Sequence, residues 1–160
     1  MELPMSLRKI GLLAVLAAFL SAPAIAQDNE VPYWASIRAS EVNMRVGPAE
    51  SYKIDWVYRR AGLPMKVVRK QEGWRLVEDP DGARGWMLAR FLSRDRTAIV
   101  TGKAEAEMRA EGSEGAALRW RLEPGVTGAL GACDAGWCKL DVAGHKGYVR
   151  ADRLWGAGEP

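Results

Sequence analysis

The stretch EGWRLVEDPDGARGW, residues 72–86, decides the fold. It holds two Gly-Trp pairs, Gly73-Trp74 and Gly85-Trp86, separated by a charged segment with Pro80 and Gly82. A short apolar run, a Pro/Gly turn and a second short apolar run read as a β-hairpin. The unit recurs downstream. Met44-Arg45 returns as Met108-Arg109, Gly62 as Gly125, Gly73-Trp74 as Gly136-Trp137, Gly85-Trp86 as Gly147-Tyr148, and Leu92 as Leu154. The separation shrinks from 64 to 62 residues along the way, as when loops shorten and strands keep their length. Two copies of one small domain follow, at 36–94 and 95–156, the second divergent.

The copies are preceded by an address. Arg8 and Lys9 lead into the apolar run IGLLAVLAAFL (10–20), and Ala24-Ile25-Ala26 offers a small-x-small cleavage site. Eleven apolar residues fall short of the ~20 that cross a bilayer, so residues 1–26 read as a signal peptide cut after Ala26, with no stable membrane anchor. A periplasmic or secreted protein is expected.

Within each copy the runs are those of short strands. LPMKVVRK (63–70), WRLVED (74–79) and RGWMLARF (84–91) are cut by turn segments, and TGALGAC, WCKLDV and KGYVRA repeat the scheme. KAEAEMRAEG (103–112) is rich in helix formers, but it aligns with the strand-like 39–47 and is read as strand and loop. The expected fold class is all-β: two tandem five-stranded SH3-like barrels, each closing its own edges. A barrel of some sixty residues buries only ~60% of its unfolded surface, so it leans on large aromatics. Seven tryptophans fit that need.

Composition narrows the function. Twenty-three basic and 20 acidic residues give a formal net charge of +3, with the basic residues interspersed among acidic ones, which argues against nucleic acid. Cys133 and Cys138 are the only cysteines and lie five residues apart, which in an exported chain reads as a disulfide. With His145 the only histidine, neither a thiolate-imidazole metal shell nor a Cys/His or Ser/His catalytic set can be assembled convincingly, and no cofactor is implied. Glu78, Asp79, Asp81 and Asp134 fall at turns, where solvation and turn geometry account for them. The chain is expected not to be an enzyme.

The segments VNMRVGP (42–48), Tyr52, WVYRRAGLP (56–64), GWRLV (73–77) and GARGWM (82–87) resemble the bacterial SH3 (SH3b) domain family in an exported two-copy form. The resemblance implies an accessory module that binds cell-wall peptidoglycan or peptide; the first alternative is an adaptor or assembly protein for another envelope protein, and the second, placed behind it, a cell-wall hydrolase. Candidate ligand residues are Asn43, Arg45, Trp56, Tyr58, Arg59 and Arg60: aromatics able to stack on a sugar or peptide, beside cations able to take a carboxylate. Alternation places Ile54, Trp56 and Tyr58 on one strand face, mostly toward the core. The second copy has Glu107 in place of Asn43, Glu111-Gly112 in place of Gly47-Pro48, and LRWRLEPGVT (118–127) in place of the 56–64 segment. On that asymmetry the first copy is expected to bind and the second to serve as a spacer.

Overall fold

The computed structural model describes residues 30–160; the leader and its cleavage site lie outside the described residues. The first copy contains β1 (Tyr33–Ile37), β2 (Val42–Arg45), β3 (Ile54–Tyr58), β4 (Pro64–Gln71), β5 (Trp74–Glu78), β6 (Arg84–Leu88) and β7 (Leu92–Ser93). The second contains β8 (Thr97–Val100), β9 (Ala106–Arg109), β10 (Leu118–Leu122), β11 (Thr127–Asp134), β12 (Trp137–Val142), β13 (His145–Arg150) and β14 (Leu154–Trp155). Segment 103–112 contains β9, as the repeat alignment requires. The sheets have one topology, β3-β2-β6-β5-β4-β1-β7 and β10-β9-β13-β12-β11-β8-β14, with antiparallel pairing throughout. Each holds seven strands instead of five, because an entering strand and a two-residue closing strand pair with each other at one sheet margin. In both sheets the other margin is formed by β3 or β10, each of which pairs on one side only among the described residues.

Turn chemistry produces the hairpins. Ala135-Gly136 and Ala143-Gly144 both have positive φ at two successive residues, as a type I′ turn demands, and Gly82 takes φ 86° between β5 and β6. The repeated Gly before an aromatic has a different cause. A Cβ on Gly85 would stand 2.5 Å from Met44 Cγ and 3.0 Å from the Arg45 carbonyl oxygen. Gly147 faces Met108 and Arg109 in the same way. At these points β6 and β13 cross β2 and β9, meeting at the single pairs Arg45–Trp86 and Arg109–Tyr148. Any side chain there would force the strands apart, so Met44 and Met108 can be fully buried only beside a glycine.

Two cores result. The first is built on Ile37, Val42, Met44, Met65, Val67 and Met87, the second on Val100, Met108, Leu140 and Val149. The disulfide forms between Cys133 and Cys138, opposite each other on β11 and β12 with Cα atoms 4.0 Å apart. Cys133 is exposed, but Cys138 is fully buried and belongs to the second core, because the ladder shifts register between Leu130 and Cys133.

The barrels are joined by more than a linker. Ile99 of the second copy belongs to the first core, and Trp155 packs against that core. The Trp34 and Trp155 rings meet edge to face with centroids 4.7 Å apart. Trp34 Nε1 donates to the Gly158 carbonyl at 3.0 Å and Ser36 Oγ to the Asp95 carbonyl at 2.9 Å, while Arg96 ties the C-terminal turn to its own copy by donating to the Gly156 carbonyl at 2.8 Å. Gly156, at φ 102°, has no room for a Cβ, which would lie 2.5 Å from the Thr97 carbonyl oxygen. The C-terminal turn of the second copy is thus seated on the first.

Candidate functional site

The open margin of each sheet exposes an aromatic. β3 pairs only with β2, and its register shifts between Met44 and Arg45, so its first half runs beyond the core. Ile54 and Trp56 are therefore exposed, Trp56 at 61%, and of the three residues expected to face inward only Tyr58 is buried. The second copy does the same: Leu118 and Trp120 are exposed, Trp120 at 46%, and Leu122 is buried. Trp56 lies opposite Met44, and Trp120 lies opposite Met108. Trp34, Trp74, Trp86 and Trp137 are all buried and Trp155 is half-buried. The two exposed tryptophans thus occupy one position of the repeat.

The six residues singled out from sequence separate into four environments. Asn43 and Arg45 line a cleft of ≈ 250 Å³ with Glu41, Glu50 and Arg90, floored by Trp74. Arg59 Nε donates to Glu41 Oε2 at 3.0 Å across the exposed surface, which ties it to that cleft. Trp56 projects from the opposite side of the strand pair, opposite Met44 and 6.5 Å from the Tyr58 ring. Arg60 reaches away from all of these and donates to the Gly125 carbonyl at 2.7 Å, bridging the barrels.

Arg45 also braces the loop after β2. Its guanidinium donates to the Tyr52 carbonyl at 2.7 Å, and Val46 N–H donates to the Lys53 carbonyl at 3.1 Å. Gly47 is required there because a Cβ would strike the Tyr52 ring at 2.6 Å. Arg109 makes the equivalent bond to the Ala116 carbonyl at 2.8 Å and also pairs with Glu107. The loop brace therefore survives in the copy whose loop sequence diverges.

Tyr58 and Asp79 form a buried polar unit. The Tyr58 hydroxyl donates to Asp79 Oδ2 at 2.7 Å, while Asp79 Oδ1 accepts from the Asp81 and Ala83 amides at 3.0 and 2.8 Å. Asp79 was expected to be a solvated turn residue. It does shape the turn, but from a buried position. Burial, reinforced by the bond to Asp79, pushes the Tyr58 hydroxyl far above the ordinary phenol range, so it remains a donor. Tyr58→Phe is expected to cost ~1–3 kcal/mol, since it leaves a buried carboxylate oxygen without its partner. Urea denaturation of the variant checks this, and a midpoint equal to wild type would show that the bond is dispensable. His145, the only histidine of the sequence, sits with its ring 4.4 Å from that of Trp120.

Comparison with known proteins adds the following. A family model described as bacterial SH3 domain matches residues 38–93 and again 102–156. No curated protein matches the chain. Among solved structures, NlpC2 from Trichomonas vaginalis aligns at 12% identity and TM-score 0.36 over 78% of this chain and 48% of its own. NlpC1 from the same organism aligns at 14% and 0.36 over 88% and 50%. An NlpC/P60 family protein from Bacillus cereus ATCC 10987 aligns at 14% and 0.34 over 77% and 56%. The chain spans about half the length of each.

Proposed function

Because the chain belongs to the bacterial SH3 domain family, as two tandem copies, we propose that it is a non-enzymatic binding module of the cell envelope that recognises cell-wall peptidoglycan or peptide. The observation that carries this reading is the repeated exposure of Trp56 and Trp120 at the open sheet margins. A protein this small gains stability from every tryptophan it buries, so leaving the same one in water twice is a cost that ligand stacking offsets. Sugar rings and peptide planes both fit such a surface, and the open edges of β3 and β10 offer backbone groups to an extended chain. Both copies bind on this reading, in contrast to the single-site expectation from sequence. An export signal at residues 1–26 would deliver the module to the wall. Among the described residues no helix is long and apolar enough to cross a membrane.

A shallow edge with one aromatic anchor binds weakly, on the order of tens of micromolar to millimolar per copy, and linking two such edges raises retention through effective concentration. The protein lacking residues 1–26 is expected to be retained on purified sacculi. Trp56→Ala and Trp120→Ala should each weaken retention several-fold, and the double variant should wash off while keeping the wild-type far-UV spectrum. Undiminished retention of the double variant would refute the stacking role. Failure of the wild-type protein to bind sacculi, with a co-purifying envelope protein, would replace wall recognition by the adaptor role.

A further inference from the structure

The outer face of β11, β12 and β13 in the second copy holds a groove of ≈ 470 Å³, within the range of small-ligand sites. It is walled by Ala129 and Gly131, Lys139 and Asp141, and Lys146 and Tyr148, with Arg119 reaching in from β10. The first copy shows how this face looks when closed. There Lys66, Glu78 and Arg84 stand side by side on adjacent strands, with Glu78 3.2 Å from Lys66 and 2.5 Å from Arg84. The Arg84 hydrogen bond, with help from Lys66, holds the Glu78 carboxyl below its ordinary range. The next row is Leu76 and the buried Trp86.

By the repeat alignment, Ala129 replaces Lys66, Gly131 replaces Val68, Lys139 replaces Leu76 and Tyr148 replaces Trp86. The ion triad shrinks to Asp141 and Lys146, 3.6 Å apart, while one Asp141 oxygen also accepts from the Gly144 amide at 2.7 Å. The apolar row becomes an exposed Lys139 whose ammonium lies 5.8 Å from the centre of the Tyr148 ring. Arg119 donates to the Lys146 carbonyl at 3.3 Å, which points its guanidinium along the same rim. Small residues thus remove the cover, and the charges that replace it are three cations against one acid.

We propose that this groove is a second binding site, which takes a short peptide ending in a free carboxylate. The carboxylate sits between Lys139 and Arg119, and the preceding residues lie on the apolar strip of Ala129, Gly131 and Tyr148. Charge complementarity selects the occupant: Asp141 is already balanced by Lys146, so the surplus is positive. Arginine and lysine together hold a planar anion in place, and the low, partly apolar floor strengthens the contact relative to open solvent. The site is separate from the tryptophan edges and goes beyond the wall-binding reading.

The test titrates the whole protein lacking residues 1–26 with N-acetyl-trialanine bearing a free carboxylate, and with its carboxamide, followed by amide chemical shifts. Shifts should be confined to Gly131, Lys139, Gly147 and Tyr148 and their neighbours, and the carboxamide should bind at least ten-fold more weakly. Lys139→Leu, which restores the first-copy residue at an exposed site, and Arg119→Ala should each weaken binding five-fold or more with unchanged melting. The Trp56→Ala, Trp120→Ala double variant should bind the peptide as wild type does, which separates this site from the proposed wall edges. Equal binding of acid and amide, shifts centred elsewhere, or equal competition by inorganic phosphate at the same concentration would each overturn the assignment.

Discussion

Trp137→Ala is expected to destabilise the second barrel by ~3–5 kcal/mol, and Trp74→Ala the first by a similar amount. Both tryptophans open the strand that follows a hairpin turn, and both are buried although neither belongs to the central core. They fill the space between the hairpin and the loop after β2 or β9: a Cβ on Gly112 would stand 3.0 Å from Trp137 Cβ, and Trp74 floors the cleft that contains Asn43 and Glu50. The Arg150 guanidinium covers the Trp137 ring at 5.5 Å. Truncation leaves a cavity that the short loops cannot collapse into, and a loss of this size takes a large share of the ~5–15 kcal/mol available to a domain. Urea denaturation followed by far-UV circular dichroism measures it. A wild-type midpoint for either variant would mean that the indole covers the loop without supporting it.

The second large effect is expected at the junction. Trp155→Ala should cost ~2–3 kcal/mol, less than full burial would give because the ring is only half-buried. It should also split unfolding into two transitions. The Trp155 ring is the edge-to-face partner of Trp34 and packs against the first core, which also takes in Ile99. With these contacts in place the two barrels unfold together; without them each falls back on its own small core. Scanning calorimetry distinguishes the cases. A single, unshifted transition in Trp155→Ala would show that Ile99 and the Trp34–Gly158 hydrogen bond suffice for coupling.

Much of this architecture was legible along the chain because it rests on local rules. Gly73-Trp74 and Gly136-Trp137 marked strand starts, whereas Gly85-Trp86 and Gly147-Tyr148 fall inside β6 and β13; the turn residues marked hairpins, and the falling 64-to-62 spacing marked a repeat whose copies proved to have one sheet order. The pairing of Cys133 with Cys138 was also local, five residues apart across one turn. Strand assignment over 103–112 followed from the repeat where propensity alone pointed to helix.

The candidate sites were less legible, because function here depends on which residues the sheets leave uncovered. Alternation put Trp56 and Tyr58 on one face, opposite Met44 and Val42, but the register shift sets Ile54 opposite Arg45, and a face is buried only where other strands lie over it. β3 ends the sheet and overhangs the core, so Trp56 is outside and Tyr58 inside. Arg60 looked like a ligand cation and instead holds a carbonyl 65 residues away. Sequence differences also weigh differently in three dimensions. The divergence around Trp120 leaves its exposure intact, whereas the inconspicuous Ala129 and Gly131 open a groove by what they lack. The sequence by itself determined the strands, turns, repeat and disulfide, through periodicity and φ preferences acting over a few residues. Only the tertiary structure decided the open margins, the seating of Trp155 on Trp34 and the charged groove, since each arises where separate segments do or do not cover one another, across as many as 124 residues at the Trp34–Gly158 contact.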